Sequence, residues 1–402
     1  MARVFGSPVP GIESVAVDDP ALAALLADAD GRLGPNPGAA LLPGQVLRVS
    51  CRPGTSVDPV VLDDVHHLPE AVALAADVAV QPGAVALVLE VDLDEPAPAS
   101  LVPIGASAPD RAGSLPLDAT GRVIVLAGPG VVRSGTAGAL RAFAERAGIG
   151  VANTWGAKGL FDWRSPHHMG TVGLQERDFE LCGFEEAALL IASGLDFDES
   201  PRDRWALAPV ADVPAHALGE LASAWAGEPG TVEPNELFTG LAAVVQPLYR
   251  SDAFPLSPAR AVIDLAAAMA PGGLVTADPG PAGFWVARTF PTSEPGTVAV
   301  PATVADGFAA AAALVGRLRD PSRRVVAVTT APRDPTTDAV LVLARSLGLP
   351  LLLETWGDAG DVGSAGDHAA ALERADGVVD VAVDLEQTQL LLDVAGELVA
   401  WR

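Results

Sequence analysis

The sequence is short of positive charge, and above all of lysine. Its 402 residues contain 25 Lys and Arg against 51 Asp and Glu, a formal net charge of −26, and Lys158 is the only lysine. Such an acidic surface repels the phosphates of nucleic acids and anionic lipids, so we expect neither nucleic acid nor membrane as a partner. The abundance of Arg, Ala, Gly and Pro indicates a GC-rich genome, so the rarity of lysine does not by itself single out Lys158.

Cysteine and long apolar runs are scarce as well. Cys51 and Cys182 are the only cysteines, which is too few for a disulfide framework, and they lack metal-ligand spacing. No uninterrupted apolar run is long enough to cross a bilayer. The first residues lack the apolar core of a signal peptide, so we expect a cytoplasmic protein.

What the chain does have is hydrophobic content for several cores, at 50% of its residues. Two Pro-rich stretches divide it and predict three domains, at 1–95, 119–250 and 257–402, with a linker at 96–118. In the second and third, β-branched runs alternate with helical patterns, which predicts βαβ units and parallel sheets.

The middle domain has the clearest pattern. Arg122–Ala127 reads as a buried strand, and the next strand as Ile149–Asn153. The helix between them should end at Gly148. Its buried face should consist of Leu140, Phe143, Ala144 and Ala147.

The loop "GPGVVRSG" follows the first of these strands. Gly128 and Gly130 would let the backbone approach a phosphate at a helix start, with Arg133 and Ser134 as further contacts. The spacing is not G-x-G-x-x-G, so the dinucleotide fingerprint is not met. A tight turn that needs glycine for its backbone is the alternative.

A second glycine-rich loop is predicted from Asn153 to Gly173. It contains Lys158 among the aromatic residues Trp155, Phe161 and Trp163. His167 and His168 are adjacent and point apart in an extended chain, so they do not form a metal pair. The loop is interpreted either as interdomain packing or as a ligand contact through Lys158.

The span 122–198 resembles the central domain of thiamine-diphosphate-dependent enzymes of the acetolactate synthase and pyruvate oxidase type. The matching runs are "AGPGVVRSG", "VANTWGAKGLFDWRSPHHMGTVG" and "AALLIASGLDFDES". The resemblance implies that FAD, ADP or coenzyme A can bind near the first loop. The candidate cofactor-binding residues are Gly128, Gly130, Arg133, Ser134 and Lys158.

The outer domains resemble the same family, the first a shortened pyrimidine-binding domain and the third a diphosphate-binding domain. The expected fold is therefore α/β, with three doubly wound parallel-sheet domains. The family holds thiamine diphosphate and Mg²⁺ with a G-D-G run followed by Asn, but here Thr330, Ala331 and Pro332 stand at that position. The family's activating glutamate has no counterpart, because Glu13 is the only glutamate before Pro69 and lies too early.

Three hypotheses follow from the resemblance and its departures. The first is a non-catalytic relative that serves as a structural or regulatory subunit, paired with itself or with an intact paralogue, and without thiamine diphosphate or metal. The second is an active lyase or carboligase in which Asp334, Asp338 or a partner chain replaces the missing metal ligand. The third is a nucleotide-binding module that uses the central domain alone.

Overall fold

The computed structural model describes residues 3–9, 11–50, 58–80, 83–91, 121–227 and 229–402. The chain forms two compact units, Met1–Gly113 and Ser114–Arg402. Each predicted domain contributes one sheet, and the second unit holds two of the three. The predicted linker at 96–118 and Cys51 lie outside the described residues.

The first unit is a mixed sheet whose strands run mostly parallel, in the order β2-β1-β3-β4-β6-β5. Its elements are β1 (Val4–Gly6), β2 (Ser14–Ala16), α1 (Pro20–Leu33), β3 (Gly38–Leu42), β4 (Val46–Ser50), β5 (Val60–Leu62), α2 (Leu68–Val80) and β6 (Ala84–Leu89). Strand β4 is antiparallel to both neighbours. Only residues 43–45 join β3 to β4, and a link this short permits a hairpin but not a parallel crossover.

The second sheet is entirely parallel, in the order β11-β10-β7-β8-β9. Its elements are β7 (Val123–Ala127), α3 (Pro129–Arg133), α4 (Ala137–Ala147), β8 (Gly150–Thr154), β9 (His168–Val172), α5 (Asp178–Leu181), β10 (Leu189–Ser193), α6 (Arg202–Trp205), β11 (Val210–Asp212), α7 (Leu218–Ala224) and α8 (Glu236–Leu248). The strand order reverses between β7 and β10, which makes the carboxyl ends of these two strands the switch point of the sheet.

The third sheet is also parallel, in the order β13-β12-β14-β15-β16. Its elements are α9 (Pro258–Ala268), β12 (Leu274–Ala277), α10 (Pro281–Thr289), β13 (Val298–Ala299), α11 (Phe308–Arg319), β14 (Val325–Thr330), α12 (Pro335–Ser346), β15 (Leu352–Gly357), α13 (Ala365–Leu372), β16 (Gly377–Ala382) and α14 (Thr388–Ala395). Its switch point lies between the carboxyl ends of β12 and β14. No helix in the described ranges is both long and apolar enough to cross a membrane.

The helix predicted in the middle domain is confirmed with its face. The buried residues of α4 are Leu140, Phe143, Ala144 and Ala147. The helix ends at Gly148, whose φ of 61° lies in the left-handed region. Four apolar residues at helical spacing, followed by a glycine, were sufficient to predict helix α4.

Two segments predicted as loops contain regular structure, so those predictions were wrong. The run after β7 forms the short helix α3, which begins at Pro129. The stretch 153–173 contains strand β9, which pairs with β8 along one edge of the sheet. Glycine suggested loops in both places, but Pro129 favours a helix start and β9 is fixed by its hydrogen bonds to β8.

A buried ion pair joins the second sheet to the third within the second unit. Arg288 on α10 donates to both carboxylate oxygens of Asp178 on α5, at 2.7 and 2.9 Å. Asp178 also accepts the backbone N–H groups of Leu174 and Gln175, at 2.8 and 3.0 Å. The Gln175 amide donates to the carbonyls of Leu391 and Gly396, both at 2.8 Å. The Arg288 and Asp178 side chains are almost completely buried, so this network fixes the two sheets to each other.

Removing the charge of Asp178 should destabilise the second unit severely. In Asp178→Asn the Arg288 guanidinium stays buried without its counter-ion, and the loss of one partner of a buried pair costs about 3–5 kcal/mol. Urea unfolding of the purified chain measures the change in the free energy of unfolding. Glu180→Gln, which removes an exposed carboxylate paired with Arg177 on the same helix, is the matched control and should leave the unfolding midpoint unchanged. Equal effects of the two substitutions would contradict this role of Asp178.

Candidate functional site

The switch point of the second sheet is filled by backbone packing. The N–H of Gly128 donates to the carbonyl of Ser193 and that of Gly130 to Gly194, at 2.9 and 2.8 Å. A Cβ atom on Gly128 would lie 2.3 Å from the Gly194 oxygen, and one on Gly130 would lie 2.8 Å from the Gly194 Cα. Close approach to the 194–195 segment therefore explains both glycines. Phosphate binding by this turn stays a prediction. The backbone N–H groups of Gly128 and Gly130 already donate to carbonyl groups of the protein.

The other two residues predicted at this turn lie at the far end of α3. Arg133 is half-buried in its last position, and Ser134 follows it. The Ser134 hydroxyl donates to the carbonyl of Val131 at 3.2 Å and shares a 2.8 Å hydrogen bond with Thr136. The Ser134 hydroxyl is thus hydrogen-bonded within the C-terminal end of α3 and the residues that follow it.

The switch point of the third sheet is where the resemblance would place a metal-bound diphosphate. Asp278, directly after β12, is buried and accepts the N–H of Ala309 at 2.7 Å. Burial raises the pKa of this carboxyl to about 6, against the lowering effect of that hydrogen bond. Ala331 stands after β14 and donates its N–H to the carbonyl of Trp356 at 2.8 Å.

The two carboxylates proposed to replace the missing metal ligand have structural partners. Asp334 is the N-cap of α12 and accepts the N–H and the hydroxyl of Thr337, at 2.9 and 2.6 Å. Asp338 is paired with Arg333 at 2.8 Å. In the described part of the chain, no group of three or more His, Cys, Asp or Glu side chains is arranged to hold a metal ion. The residues present therefore do not fit a metal-bound diphosphate.

Lys158 lines a different cavity, between β9, α8 and α10, with a volume of about 100 Å³. It follows a single 3-10 turn after β8, and its side chain is 6% exposed. Its ammonium donates to the Thr171 hydroxyl at 3.4 Å, a long hydrogen bond. Other residues of the cavity wall include His168, Arg288, Phe238, Leu241, Val245, Tyr249 and Phe290. Of the five candidate residues, Lys158 alone reaches this cavity.

Burial alters the acid–base chemistry of this cavity. Burial, together with the positive charge of Arg288, lowers the pKa of Lys158 to about 7. Burial also lowers the pKa of His168 to about 4, assisted by the charge of Lys158. The His168 ring is therefore neutral at pH 7 and packs edge-on against Phe238, with 6.0 Å between ring centroids. Its neighbour His167 points elsewhere, with its Nδ1 3.0 Å from the Ile149 carbonyl oxygen.

Residues 116–213 match the family model of the thiamine pyrophosphate enzyme central domain. The match covers the second sheet, from the segment before β7 to the end of β11, and about a quarter of the chain. This segment is similar to that central domain. No curated protein matches the chain. The family resemblance of the middle domain is thereby supported, and the matched region includes Lys158 and the 128–134 turn.

A second cluster, which sequence reasoning missed, joins three elements of the third sheet. The His368 ring on α13 lies between Asp264 on α9, at 3.1 Å, and Glu354 on β15, at 2.9 Å. Burial by itself lowers the His368 pKa, but hydrogen bonds to the two carboxylates and their charges outweigh burial and raise it to about 9. The side chain is completely buried, so the cluster holds α9, α13 and β15 together and is closed to a substrate.

Arg288 was also missed, although the sequence carries a signal for it. It is the only charged residue in the otherwise apolar run "GFWVARTF" of α10. An arginine within a buried helix requires a carboxylate partner. That partner, Asp178, lies in a charged stretch with nothing to distinguish it from exposed acids, so only the tertiary structure identifies the pair.

The stability of the chain should depend on pH through Lys158. Its folded pKa of about 7 lies below the ordinary 10.5, so the unfolded chain binds the extra proton between these values. The free energy of unfolding therefore rises with pH in this window, by up to about 1.4 kcal/mol per unit. Lys158→Met should remove this rise and stabilise the protein most below pH 7. Denaturant titrations of both proteins across the window test this, and parallel pH curves would refute it.

His368 should act in the opposite direction. The pKa of His368 in the folded chain, about 9, lies above the ordinary 6.5. The protonated ring therefore stabilises the fold fully below pH 6.5, and this stabilisation is lost as the pH rises to about 9. The difference in unfolding free energy between wild type and His368→Gln should shrink by up to about 1.4 kcal/mol per pH unit in that window. His216→Gln, an exposed histidine of the same unit, is the control. A difference that stays constant with pH would show that His368 does not carry the extra proton.

Proposed function

We propose that this chain is a non-catalytic relative of thiamine pyrophosphate enzymes that works as a structural or regulatory subunit. The observation that carries the proposal is the chemistry at the carboxyl ends of β12 and β14. Ala331 offers no side-chain oxygen to a cation, and Pro332 has no N–H for a phosphate. Hard cations such as Mg²⁺ require converging oxygen ligands.

The neighbouring acids support the same conclusion. Asp334 caps α12 through two hydrogen bonds, and Asp338 is bound by Arg333. Moving Asp334 onto a metal would remove the cap of α12, and the loss of such a cap typically costs about 1 kcal/mol. The active-enzyme alternative thus requires a ligand from outside the described groups.

The first unit contributes a parallel argument. An activating glutamate must reach the cofactor with a free carboxylate. Glu13 is instead paired with Arg3, whose Nε lies 2.8 Å from its Oε1. The hairpin β3–β4 follows α1 after a short turn, and neither strand of it contains a glutamate. Neither half of the expected cofactor site has its usual chemistry.

The proposed partner is a second copy of the chain or an intact paralogue. This part of the proposal rests on the family resemblance, in which cofactor sites lie between chains and the domains pair. A stable pairing of this kind buries more than about 1,000 Å² of surface. The acidic net charge of −26 favours a partner with a less acidic face, because like-charged surfaces repel.

Isothermal titration calorimetry of the purified chain with thiamine diphosphate and Mg²⁺ tests the proposal. We expect no binding heat, whereas an enzyme with the complete G-D-G motif gives one under the same conditions. Titration with ADP and coenzyme A alongside separates the nucleotide-module alternative, which predicts heat with these ligands alone. Light scattering coupled to size exclusion then gives the assembly state. Tight binding of thiamine diphosphate with Mg²⁺ would overturn the proposal.

A further inference from the structure

The cavity beside Lys158 has an excess of positive charge. Lys158 and Arg288 both line it, and none of the described residues in its wall is an Asp or Glu. The charge of Arg288 is balanced by Asp178, which binds it at 2.7 and 2.9 Å. Among the described residues, the Lys158 ammonium forms no ion pair and only the long hydrogen bond to Thr171. An unpaired buried cation is costly, so a protonated Lys158 calls for an anion.

Further polar atoms around the cavity lack partners. The Nδ1 atom of His168 and the Nε atom of Arg288 are buried and have no hydrogen-bond partner within the described part of the chain. Native proteins satisfy most buried polar atoms, and an exception calls for an explanation. The Arg288 Nε–H can only donate, and together with the unpaired Lys158 ammonium it points to a ligand that carries acceptor oxygens. The neutral His168 ring donates through Nδ1 in one tautomer and accepts there in the other, so it is compatible with such a ligand but does not require it.

The remaining walls and the volume limit what that ligand can be. Phe238, Leu241, Val245 and Phe290 present apolar surface. The cavity holds about 100 Å³, and a cavity of about 150 Å³ is known to hold benzene. The space therefore admits a short carbon chain next to the charged end, and is too small to enclose a nucleotide or thiamine diphosphate.

We propose that this cavity binds a small monocarboxylate with a short aliphatic tail, its carboxylate against Lys158 and its tail against the α8 side chains. The site is independent of the 128–134 turn and of the third-sheet switch point. It is also independent of the proposed subunit role, since its ligand and its residues differ.

Binding should be coupled to a proton. With a Lys158 pKa of about 7, the amine of the free protein is largely neutral above that pH and must be protonated to pair with a carboxylate. The charged or titratable groups around it are Arg288 on α10, its counter-ion Asp178 on α5, His168 on β9 and Tyr249 after α8, and the charge of Asp162 also acts on His168. Burial raises the pKa of Tyr249 and lowers that of His168 to about 4, so neither changes charge in the neutral range.

The test is calorimetric titration with butyrate, with 1-butanol as the uncharged analogue. Butyrate should bind, and butanol should bind at least tenfold more weakly. Affinity for butyrate at about pH 6 should exceed that at about pH 8.5 by roughly 30-fold, because each pH unit above the lysine pKa lowers its protonated fraction about tenfold. Equal affinity for butyrate and butanol would reduce the site to an apolar cavity and overturn the proposal.

Three variants assign the effect to the cavity. Lys158→Met should lose both the affinity and its pH dependence. Ala242→Phe, which fills the space from α8 and leaves Lys158 in place, should lose affinity while thermal melting confirms that the chain is folded. Arg345→Met, an exposed residue on α12, makes the same change in net charge and should bind butyrate as the wild type does. Retention of pH-dependent binding by Lys158→Met, or no binding by the wild type, would contradict the proposal.

Discussion

The buried pair between Arg288 and Asp178 sets the arrangement of the second unit. A guanidinium taken out of water is tolerated only when its charge and its N–H groups are matched. Asp178 supplies the charge, and the backbone around Gln175 holds Asp178 in place. Helix α10 packs with the third sheet and α5 with the second. The two sheets therefore cannot separate without breaking this ion pair or exposing it to water. The tryptophans Trp155 and Trp401 add to the junction, since both donate to the Pro301 carbonyl.

That arrangement explains the chemistry of the Lys158 cavity. Asp178 is paired with Arg288, none of the described residues in the cavity wall supplies a carboxylate to Lys158, and burial favours the neutral amine. The positive charge of Arg288 shifts the equilibrium in the same direction. A cavity that is apolar on one side and cationic on the other suits an amphipathic anion. The only lysine of the chain thus becomes chemically distinctive through its surroundings.

Residues at the two switch points, where open α/β sheets usually bind ligands, contact other parts of the chain. In the second sheet, Gly128 and Gly130 pack against the backbone at Gly194. In the third sheet, Asp278 accepts an N–H from α11, and Asp334 caps α12. Residues 116–213 are similar to a thiamine pyrophosphate enzyme central domain. Similarity to that family model concerns the fold of this region and does not by itself establish a function.

The sequence by itself determined the strands β7 and β8, the apolar face of α4, and the absence of an acid at Ala331. These features depend on local patterns: runs of β-branched residues, apolar residues that recur with the 3.6-residue period of a helix, and the identity of one side chain. Strand β9 and the His368 cluster depend on partners distant in the chain, and their local sequence gives no such signal. Only the tertiary structure placed Asp178 beside Arg288 and left Lys158 without a counter-ion. The reason is physical: burial and charge pairing are properties of neighbours in space, whereas composition and periodicity are properties of neighbours along the chain.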